Sequence, residues 1–460
     1  MPSNKKLLQA AAGNAGESLY VEDVFSTYVY EGTGAAQSID NGISLSDEGG
    51  LVWIKSRSNA DNSYLFDTVN GPEETLSSDA TNAGADYSDY WDFPSAGTQG
   101  FNLLDAPGNY AGWTLASWSF RKADKFFDVV AYTGNSVNGR QLPHNLGSTP
   151  GMVVCKRIDT GQNWILQHRS LDLSSNKTMY LNSTDALAVA NDYWNSTHAS
   201  DTAITLSGNA DINGTGGTYV AYVFAHNAGG FGDDADENII SCGSYTGAGA
   251  NLEVNVGFEP QFVLIKCTTN AGTNWVMFDT MRGLPVDGNA KDLRPNVHDA
   301  EGDNSAIGIT STGFLARNGI DGQINASGRS YIYIAIRRPM KTPEAGTEVF
   351  NTVNRTATAP TYNTGFVTDM QIMTLLNGSQ NQLTDRLRGQ RKLLTNATTA
   401  ESAIGTEATY DWMTGVGDQD SASSNNIAWN FKRATGFFDV VAYTGTEIVT
   451  GKQRQIQIWN

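Results

Sequence analysis

The strongest constraint on the fold is a pattern that recurs four times along the chain. A short apolar run ends in lysine as GGLVWIK at Lys55, PGMVVCK at Lys156 and PQFVLIK at Lys266, and a more polar version begins at Asp369. The three lysines are 101 and 110 residues apart. That period is the size of a small independent domain and far exceeds the 20–50 residues of a solenoid repeat. We therefore predict tandem domains, each with its own core, joined like beads.

The repeats set the predicted domain boundaries. A Gly-rich and then acidic stretch at 226–238 and a Pro-containing stretch at 337–348 are plausible linkers. The prediction is an N-terminal attachment segment at 1–23, followed by β-sandwich repeats at 24–125, 126–238, 239–348 and 349–460. The fourth repeat includes closing C-terminal strands.

Each repeat has the pattern of short strands. GTYVAYVFAH and SYIYIAIRR alternate small or polar residues with large apolar ones, as half-buried strands do. MVVCK and FVLIK are continuous apolar runs, which indicates strands buried on both faces. Turn sequences such as NGTGG separate them. The fold class is therefore predicted to be all-β, with tandem β-sandwich or jelly-roll domains and very little helix. The best helix candidate is 4–12.

Composition excludes several classes of function. The formal net charge of -18 argues against nucleic acid or an anionic membrane as a partner. No stretch of about 18 apolar residues is present to span a membrane, and the N-terminal segment lacks the apolar core of a secretion signal. Three cysteines without a CxxC spacing predict neither a disulfide framework nor a zinc site. We expect synthesis in a reducing cytoplasm.

No catalytic or metal-binding motif stands out in the sequence. The five histidines form neither HExxH nor an i, i+4 pair, so no metal site and no cofactor are predicted. Asp67, Asp279 and Asp385 recur four residues before a glycine. Glycosidases need two carboxylates, but a repeated Asp before Gly is better explained by a side chain that closes a turn. The segment GDDADEN from Gly232 lacks the spacing of a calcium loop.

Aromatic side chains supply the only candidate binding site. The chain has 10 Trp and 18 Tyr, and aromatic faces are a common platform for the apolar faces of sugars. Trp91, Trp194 and Trp412 recur in equivalent places, which favours core packing. The stretch GADYSDYWDF is denser in aromatics and rich in turn residues, where binding residues concentrate. Tyr87, Tyr90 and Trp91 are therefore predicted to bind glycan by stacking.

Several quoted segments resemble a known group of proteins. LLQAAAGNAGESLYVEDVFSTYVYEGTG, GLVWIKSRS, SFRKADKFFDVVAYTGN, LPHNLGSTPGMVVCKR and YVAYVFAHNAGGFG are similar to marine tailed-phage, including cyanophage, virion proteins described as tail-fibre-like or lectin-like. The resemblance covers most of the chain and implies tandem jelly-roll domains similar to concanavalin-like lectins. It implies no catalytic residue, and the fourth unit departs most from the pattern.

Three functions remain open from the sequence. The leading expectation is a structural virion protein, a tail fibre or appendage that contacts host-surface glycan. The second is a capsid or tail decoration or adaptor protein that binds only other virion proteins. The third, a glycan-degrading tailspike, is disfavoured, and we expect no enzyme activity. The expected location is the phage particle. The expected partners are other virion proteins and host glycan. We also expect a homo-oligomer, with a trimer expected from the class alone.

One segment occurs more often than the domain bodies. FFDVVAYTG from Phe126 returns at Phe437, with weaker versions from Val24, Ile239 and Val349. Five copies accompany four bodies, which suggests a shared seam between bodies. We expect the last copy to close the fourth domain, with addition to a neighbouring subunit as the alternative.

Overall fold

The computed structural model describes residues 18–189, 191–319, 322–375, 381–404, 408–417 and 426–441. These residues form an all-β protein of antiparallel sandwiches, which confirms the predicted fold class. The described α-helices are single turns: α1 (Val21–Val24), α2 (Leu45–Glu48) and α3 (Ala210–Asn213). Two 3-10 turns lie at Ser174–Asn176 and Gly346–Glu348. The helix predicted at 4–12 and most of the attachment segment 1–23 lie outside the described residues.

The strands fall into four groups that follow the repeats. The first group is β1 (Phe25–Glu31), β2 (Gln37–Ile39), β3 (Gly50–Ser56), β4 (Ser63–Asp67), β5 (Gly71–Ser77), β6 (Trp91–Asp92), β7 (Phe101–Leu103) and β8 (Thr114–Arg121). The second group is β9 (Phe127–Thr133), β10 (Arg140–Pro143), β11 (Met152–Arg157), β12 (Ile165–His168), β13 (Lys177–Tyr180), β14 (Ala188–Val189), β15 (Ala203–Leu206) and β16 (Thr218–Phe224).

The other two groups repeat this series. The third is β17 (Ile240–Thr246), β18 (Leu252–Asn255), β19 (Pro260–Cys267), β20 (Trp275–Asp279), β21 (Ala290–Asp292), β22 (Gly302–Asn304), β23 (Ile307–Thr310), β24 (Gly313–Ala316) and β25 (Ser330–Arg337). The fourth is β26 (Phe350–Asn354), β27 (Tyr362–Asn363), β28 (Met370–Leu375), β29 (Asn381–Asp385), β30 (Arg391–Leu394), β31 (Ser402–Ala403), β32 (Gly415–Val416) and β33 (Asn426–Phe431). We call these groups domains 1 to 4.

Every domain has one large sheet with the same strand order. The first strand of the domain pairs with its last strand, which pairs with the apolar-run strand and then with the strand after it: β1-β8-β3-β4-β5, β9-β16-β11-β12-β13-β14, β17-β25-β19-β20 and β26-β33-β28-β29-β30-β31. A smaller sheet covers one face of each: β2-β7-β6, β10-β15, β18-β24-β23 and β27-β32. In domain 1, Val52 and Phe66 of the large sheet pack with Phe101 and Leu103 of the small one.

The other face of each large sheet, which we call the inner face, has a different partner. Phe120, Tyr222 and Ile336 lie on the inner faces of domains 1, 2 and 3 and belong to one continuous buried cluster. Domains 1 and 3 each keep a core between their own two sheets, as expected. The expectation of separate, bead-like domains is wrong for domains 1 to 3, because their inner faces share one further core. The apolar-run strands are buried on both faces, as predicted, because one face meets the small sheet and the other meets the neighbouring domains.

The recurring segment is the first strand of the domain that follows it. β1, β9, β17 and β26 each pair with the last strand of their own domain, so the proposal of a seam shared by two bodies is corrected. The fifth copy starts with the same turn as the second. Ala434 donates its N–H to Phe438, as Ala123 does to Phe127. Residues beyond 441, and with them the predicted closing strands, lie outside the described part of the chain.

Candidate functional site

The repeated aspartates close turns, as the sequence predicted. Asp67 accepts hydrogen bonds from the backbone N–H groups of Val69 and Asn70, both at 2.9 Å. Asp279 and Asp385 accept in the same way from the N–H groups three residues later, at 2.8 Å. All three carboxylates are buried. Their recurrence therefore comes from the fold and does not mark a catalytic pair.

Trp91 is a core residue and not part of the binding surface predicted for it. Its ring stacks on Phe66 (5.2 Å, 9°) and on Tyr87 (5.3 Å, 8°). The indole N–H donates to Thr75 Oγ1 at 2.8 Å, and the side chain is 0% exposed. Since the side chain has no exposed surface, no sugar can stack on Trp91.

Tyr87 and Tyr90 lie above Trp91 at the surface of domain 1. Both are half-buried, and their ring centroids are 5.2 Å apart. The neighbouring loop carries Tyr110, which is 40% exposed and packs on the half-buried Trp113 at 4.5 Å. Burial, then the nearby Tyr90, Asp61 and Tyr110, raise the pKa of Tyr87. We call Tyr87, Tyr90, Tyr110 and Trp113 the aromatic edge.

Exposed aspartates stand close in the chain to the residues of the aromatic edge. Asp86, Asp89, Asp92 and Asp105 are all exposed. One of them, Asp105, lies beside Tyr90 through the backbone, because the Tyr90 carbonyl accepts the N–H groups of Leu104 at 2.7 Å and Asp105 at 3.4 Å. Ring faces beside exposed carboxylates suit a sugar, whose C–H face is apolar and whose hydroxyls donate hydrogen bonds. Tyr110 and Trp113 were not predicted, although the sequence APGNYAGW marks a turn.

The contacts between domains 1, 2 and 3 were missed entirely by the sequence reasoning. Tyr222 of domain 2 donates its hydroxyl to Asp67 of domain 1 at 2.8 Å. Trp118 of domain 1 donates its indole N–H to Asp279 of domain 3 at 3.2 Å. Trp118 and Tyr222 occupy equivalent register positions on the last strands of their large sheets.

The third contact of this set uses the reverse chemistry. Domain 3 has Ile334 at the position of Trp118 and Tyr222, and an isoleucine cannot donate. Domain 2 has His168 at the position of Asp67 and Asp279, and its Nε2 donates to the Tyr333 carbonyl at 3.2 Å while Nδ1 accepts from Ser170. Burial lowers the pKa of His168 to about 3. The three contacts therefore close a cycle, and we call domains 1 to 3, joined in this way, the ring. His168 stands where the other domains have an acceptor aspartate, and Ile334 stands where they have a donor, so the two exchanges match.

Two buried lysines add further contacts between the domains of the ring. Lys55 of domain 1 donates to the Val297 carbonyl of domain 3 at 2.8 Å, and Lys156 of domain 2 donates to the Thr81 carbonyl of domain 1 at 3.1 Å. Burial lowers the pKa of Lys156, and separately that of Lys266, to about 8. The lysine that ends each apolar run is thus an interdomain contact in the first two repeats. That is the signal from which part of the ring could have been inferred.

A family model matches residues 21–339, and its description is a domain of unknown function, DUF7483. The chain belongs to this family. The match starts at α1 and ends two residues after β25, so the DUF7483 region corresponds to the whole ring. The fourth domain lies beyond the matched range. No curated protein matches the chain.

A cleft of about 240 Å³ lies where the DUF7483 ring meets domain 4. Glu22 lines the cleft, and its Oε1 accepts the N–H groups of Met340 and Lys341 at 2.7 Å each. Burial raises the pKa of Glu22. Arg433 is paired with Glu259 at 2.7 Å across the same cleft. The charges here join domain 4 to the ring.

The described residues contain no group of three His, Cys, Asp or Glu side chains placed to hold a metal ion. The three cysteines of the DUF7483 region, Cys155, Cys242 and Cys267, are buried and free. Among the described residues, no helix is both long and apolar enough to span a membrane.

Proposed function

We propose that the chain is a structural protein of a tailed-phage particle, a fibre or appendage whose first domain contacts host-surface glycan. The virion assignment rests on the resemblance of residues 4–250 to tailed-phage virion proteins. The ring supports it, because three sandwiches that share one core make a stiff block suited to bearing load. The net charge of -18 favours solubility.

The aromatic edge is the observation that supports contact with glycan. Tyr87, Tyr90 and Tyr110 present ring surface beside exposed carboxylates, and Trp91 fixes Tyr87 from below. A platform held rigid before binding loses little conformational entropy when a ligand arrives. Glycan at this edge would stack on Tyr87 and Tyr90 and donate its hydroxyls to the aspartates.

A glycan array probed with the full chain tests this contact. The intact protein is expected to bind a subset of host-surface glycans, and the double variant Tyr87→Ala, Tyr90→Ala is expected to lose at least tenfold in affinity, about 1.4 kcal/mol. Phe437→Ala, an exposed aromatic on the far domain, serves as the matched control and should bind normally. If the intact chain binds no glycan, or if the double variant binds as well as the intact chain, the proposed contact is wrong.

A second candidate, a decoration or adaptor protein that binds only other virion proteins, is favoured by the fifth copy of the recurring segment. Phe126, in the second copy, is 0% exposed and packs against Phe231, whereas the equivalent Phe437 is 44% exposed. Val441 is 46% exposed. Two exposed apolar side chains within five residues of one segment suit a partner surface.

A matched pair of substitutions tests this candidate. Phe438 packs on Phe431 at 5.2 Å, so Phe438→Ala is expected to lower the melting temperature. Phe437→Ala should leave melting unchanged and reduce incorporation of the protein into particles. Normal incorporation of Phe437→Ala would count against the adaptor role, and absence of the intact protein from purified particles would overturn both candidates.

A further inference from the structure

The cleft between the ring and domain 4 is lined by residues whose buried polar atoms have no partner in the protein. Residues of domains 1, 3 and 4 line it, and its volume is about 240 Å³. Two of them, Glu22 and Thr27, have buried side-chain oxygens, Oε2 and Oγ1, without a hydrogen-bond partner among the described residues. Thr27 is 4% exposed. Since a buried polar atom without a partner lowers stability, both oxygens are placed to bond a molecule in the cleft.

The repeats show that the fold does not require the hydroxyl of Thr27. Thr27 lies opposite Trp118 in the register of β1 and β8, and the equivalent positions of domains 2 and 3 hold Val129 and Cys242. These two side chains are 2% and 0% exposed. Threonine differs from valine by a hydroxyl in place of a methyl group. The hydroxyl of Thr27 therefore adds hydrogen-bonding capacity at a position that an apolar side chain can fill.

The charged pairs of the cleft favour a neutral ligand. Arg433 is paired with Glu259 at 2.7 Å, and Arg386 is paired with Asp369 at 3.2 Å. All four side chains line the cleft, so their charges are balanced within the protein. A charged ligand would lose its hydration here without gaining an unpaired partner of opposite charge from these residues.

Glu22 requires a hydrogen-bond donor from the ligand. Its Oε1 already accepts two backbone N–H groups, whereas Oε2 accepts none among the described residues. Burial raises the pKa of Glu22, and the charge of Lys432 opposes that shift. An ionised carboxylate accepts hydrogen bonds and cannot donate them, whereas a hydroxyl does both. Ligand hydroxyls can therefore donate to Glu22 and either donate to or accept from Thr27.

The apolar part of the lining and the volume limit the kind of molecule that fits. Phe25 and Met281 line the same cleft and are 2% and 7% exposed. The C–H groups of a sugar or cyclic polyol suit such side chains. The volume of about 240 Å³ lies below the roughly 300–1,000 Å³ of sites for drug-sized ligands. The ligand is therefore small.

We propose that this cleft binds a small neutral polyhydroxylated molecule, a monosaccharide or a polyol, through hydrogen bonds to Glu22 Oε2 and Thr27 Oγ1. Because the ring and domain 4 both contribute to the lining, the bound molecule would hold the two together. The inference uses none of the residues of the aromatic edge. It therefore depends neither on glycan contact there nor on the phage assignment.

Binding of single compounds to the full chain tests the proposal. Glucose, galactose, glycerol and myo-inositol serve as neutral probes, and glucuronate and glucosamine serve as charged ones. In isothermal titration calorimetry, at least one neutral probe is expected to bind with a Kd of about 1 mM or tighter. Thr27→Val is expected to weaken that binding about tenfold. The unliganded variant should melt at a higher temperature, because it no longer buries an unpaired hydroxyl.

Thr178→Val is the matched control. Thr178 of domain 2 is 2% exposed, its Oγ1 also lacks a partner among the described residues, and it does not line the cleft. This variant should also melt at a higher temperature, and it should bind the probe as the intact chain does. The double variant Tyr87→Ala, Tyr90→Ala should bind the probe normally as well, which separates the cleft from the aromatic edge.

Glu22→Gln provides a second, independent variant. Its amide oxygen can still accept the two backbone N–H groups, but an NH2 group replaces the accepting Oε2, so binding should weaken. No saturable binding of any neutral probe would overturn the proposal and mean that the cleft holds water only. Tighter binding of glucuronate or glucosamine would overturn it too, as would unchanged binding in both cleft variants. If Thr27→Val fails to fold, Glu22→Gln decides.

Discussion

The indole nitrogen of Trp118 and the Asp279 carboxylate lie 3.2 Å apart across the boundary between the first and third domains. Each side chain is buried, and the residues between them in sequence form a complete domain of their own. The pair therefore joins two parts of the chain that are separated in sequence by the whole of domain 2. Folding of the ring is expected to be one cooperative event rather than three.

Removing one interdomain hydroxyl should test that cooperativity. Tyr222→Phe leaves an oxygen of the buried Asp67 without the donor at 2.8 Å, which should cost about 1–3 kcal/mol. Urea unfolding monitored by tryptophan fluorescence should show one shifted transition for the whole ring. Tyr30→Phe is the control, since its hydroxyl donates to the neutral Gly108 carbonyl within domain 1, and its cost should be smaller. Separate transitions for domains 1 and 2 would contradict the shared core.

His168 should make the ring sensitive to acid. Burial lowers its pKa to about 3 in the folded protein, against roughly 6.5 in an unfolded chain. Between those values the unfolded state binds more protons, so stability falls as pH falls through this window. His168→Gln keeps a donor for the Tyr333 carbonyl and does not titrate, so its stability should decline less between pH 6.5 and 3. Parallel pH profiles for the two proteins would rule out His168 as a source of the effect.

Lys156 should act at the alkaline end of the pH range. Burial lowers its pKa to about 8 in the folded state, against roughly 10.4 in an unfolded chain. The unfolded state therefore binds more protons between these values, and the contribution of Lys156 to stability rises with pH. The unfolding free energy of the intact protein minus that of Lys156→Met should rise from pH 8 to 10. A constant difference would mean that the amine does not titrate in that window.

Trp91 and Tyr90 should respond differently to truncation. Trp91→Ala removes a fully buried ring and its hydrogen bond to Thr75, which should destabilise the protein by about 3–5 kcal/mol. Tyr90→Ala alters a half-buried side chain at the surface and should change stability much less while weakening glycan binding. Thermal unfolding of both variants separates the roles. A stable Trp91→Ala would show that the stacked core around it is dispensable.

The sequence predicted those features that depend only on the residues within one repeat. Apolar runs predicted strands buried on both faces, and Asp before Gly predicted closed turns, because local chemistry decides both. The ring was not predictable in this way, because Trp118 and Asp279 belong to different repeats. The sequence around either residue does not indicate that the other is its partner. The only trace of these contacts in the sequence is a pair of changes: His168 replaces the repeated aspartate in domain 2, and Ile334 replaces the donor in domain 3. Trp91 was misassigned because a dense aromatic sequence does not show which ring is covered.

Joining the three members of the ring in one polypeptide frees them from being identical. An assembly of identical subunits must repeat every surface at each position. A loop that destabilises one subunit then destabilises all of them. The three members keep one buried asparagine at an equivalent position, namely Asn109, Asn213 and Asn325. Outside such shared positions the members are free to differ, and domain 1 carries the aromatic edge with Tyr87 and Tyr90. Specialisation of one side is therefore compatible with a scaffold that remains nearly symmetric.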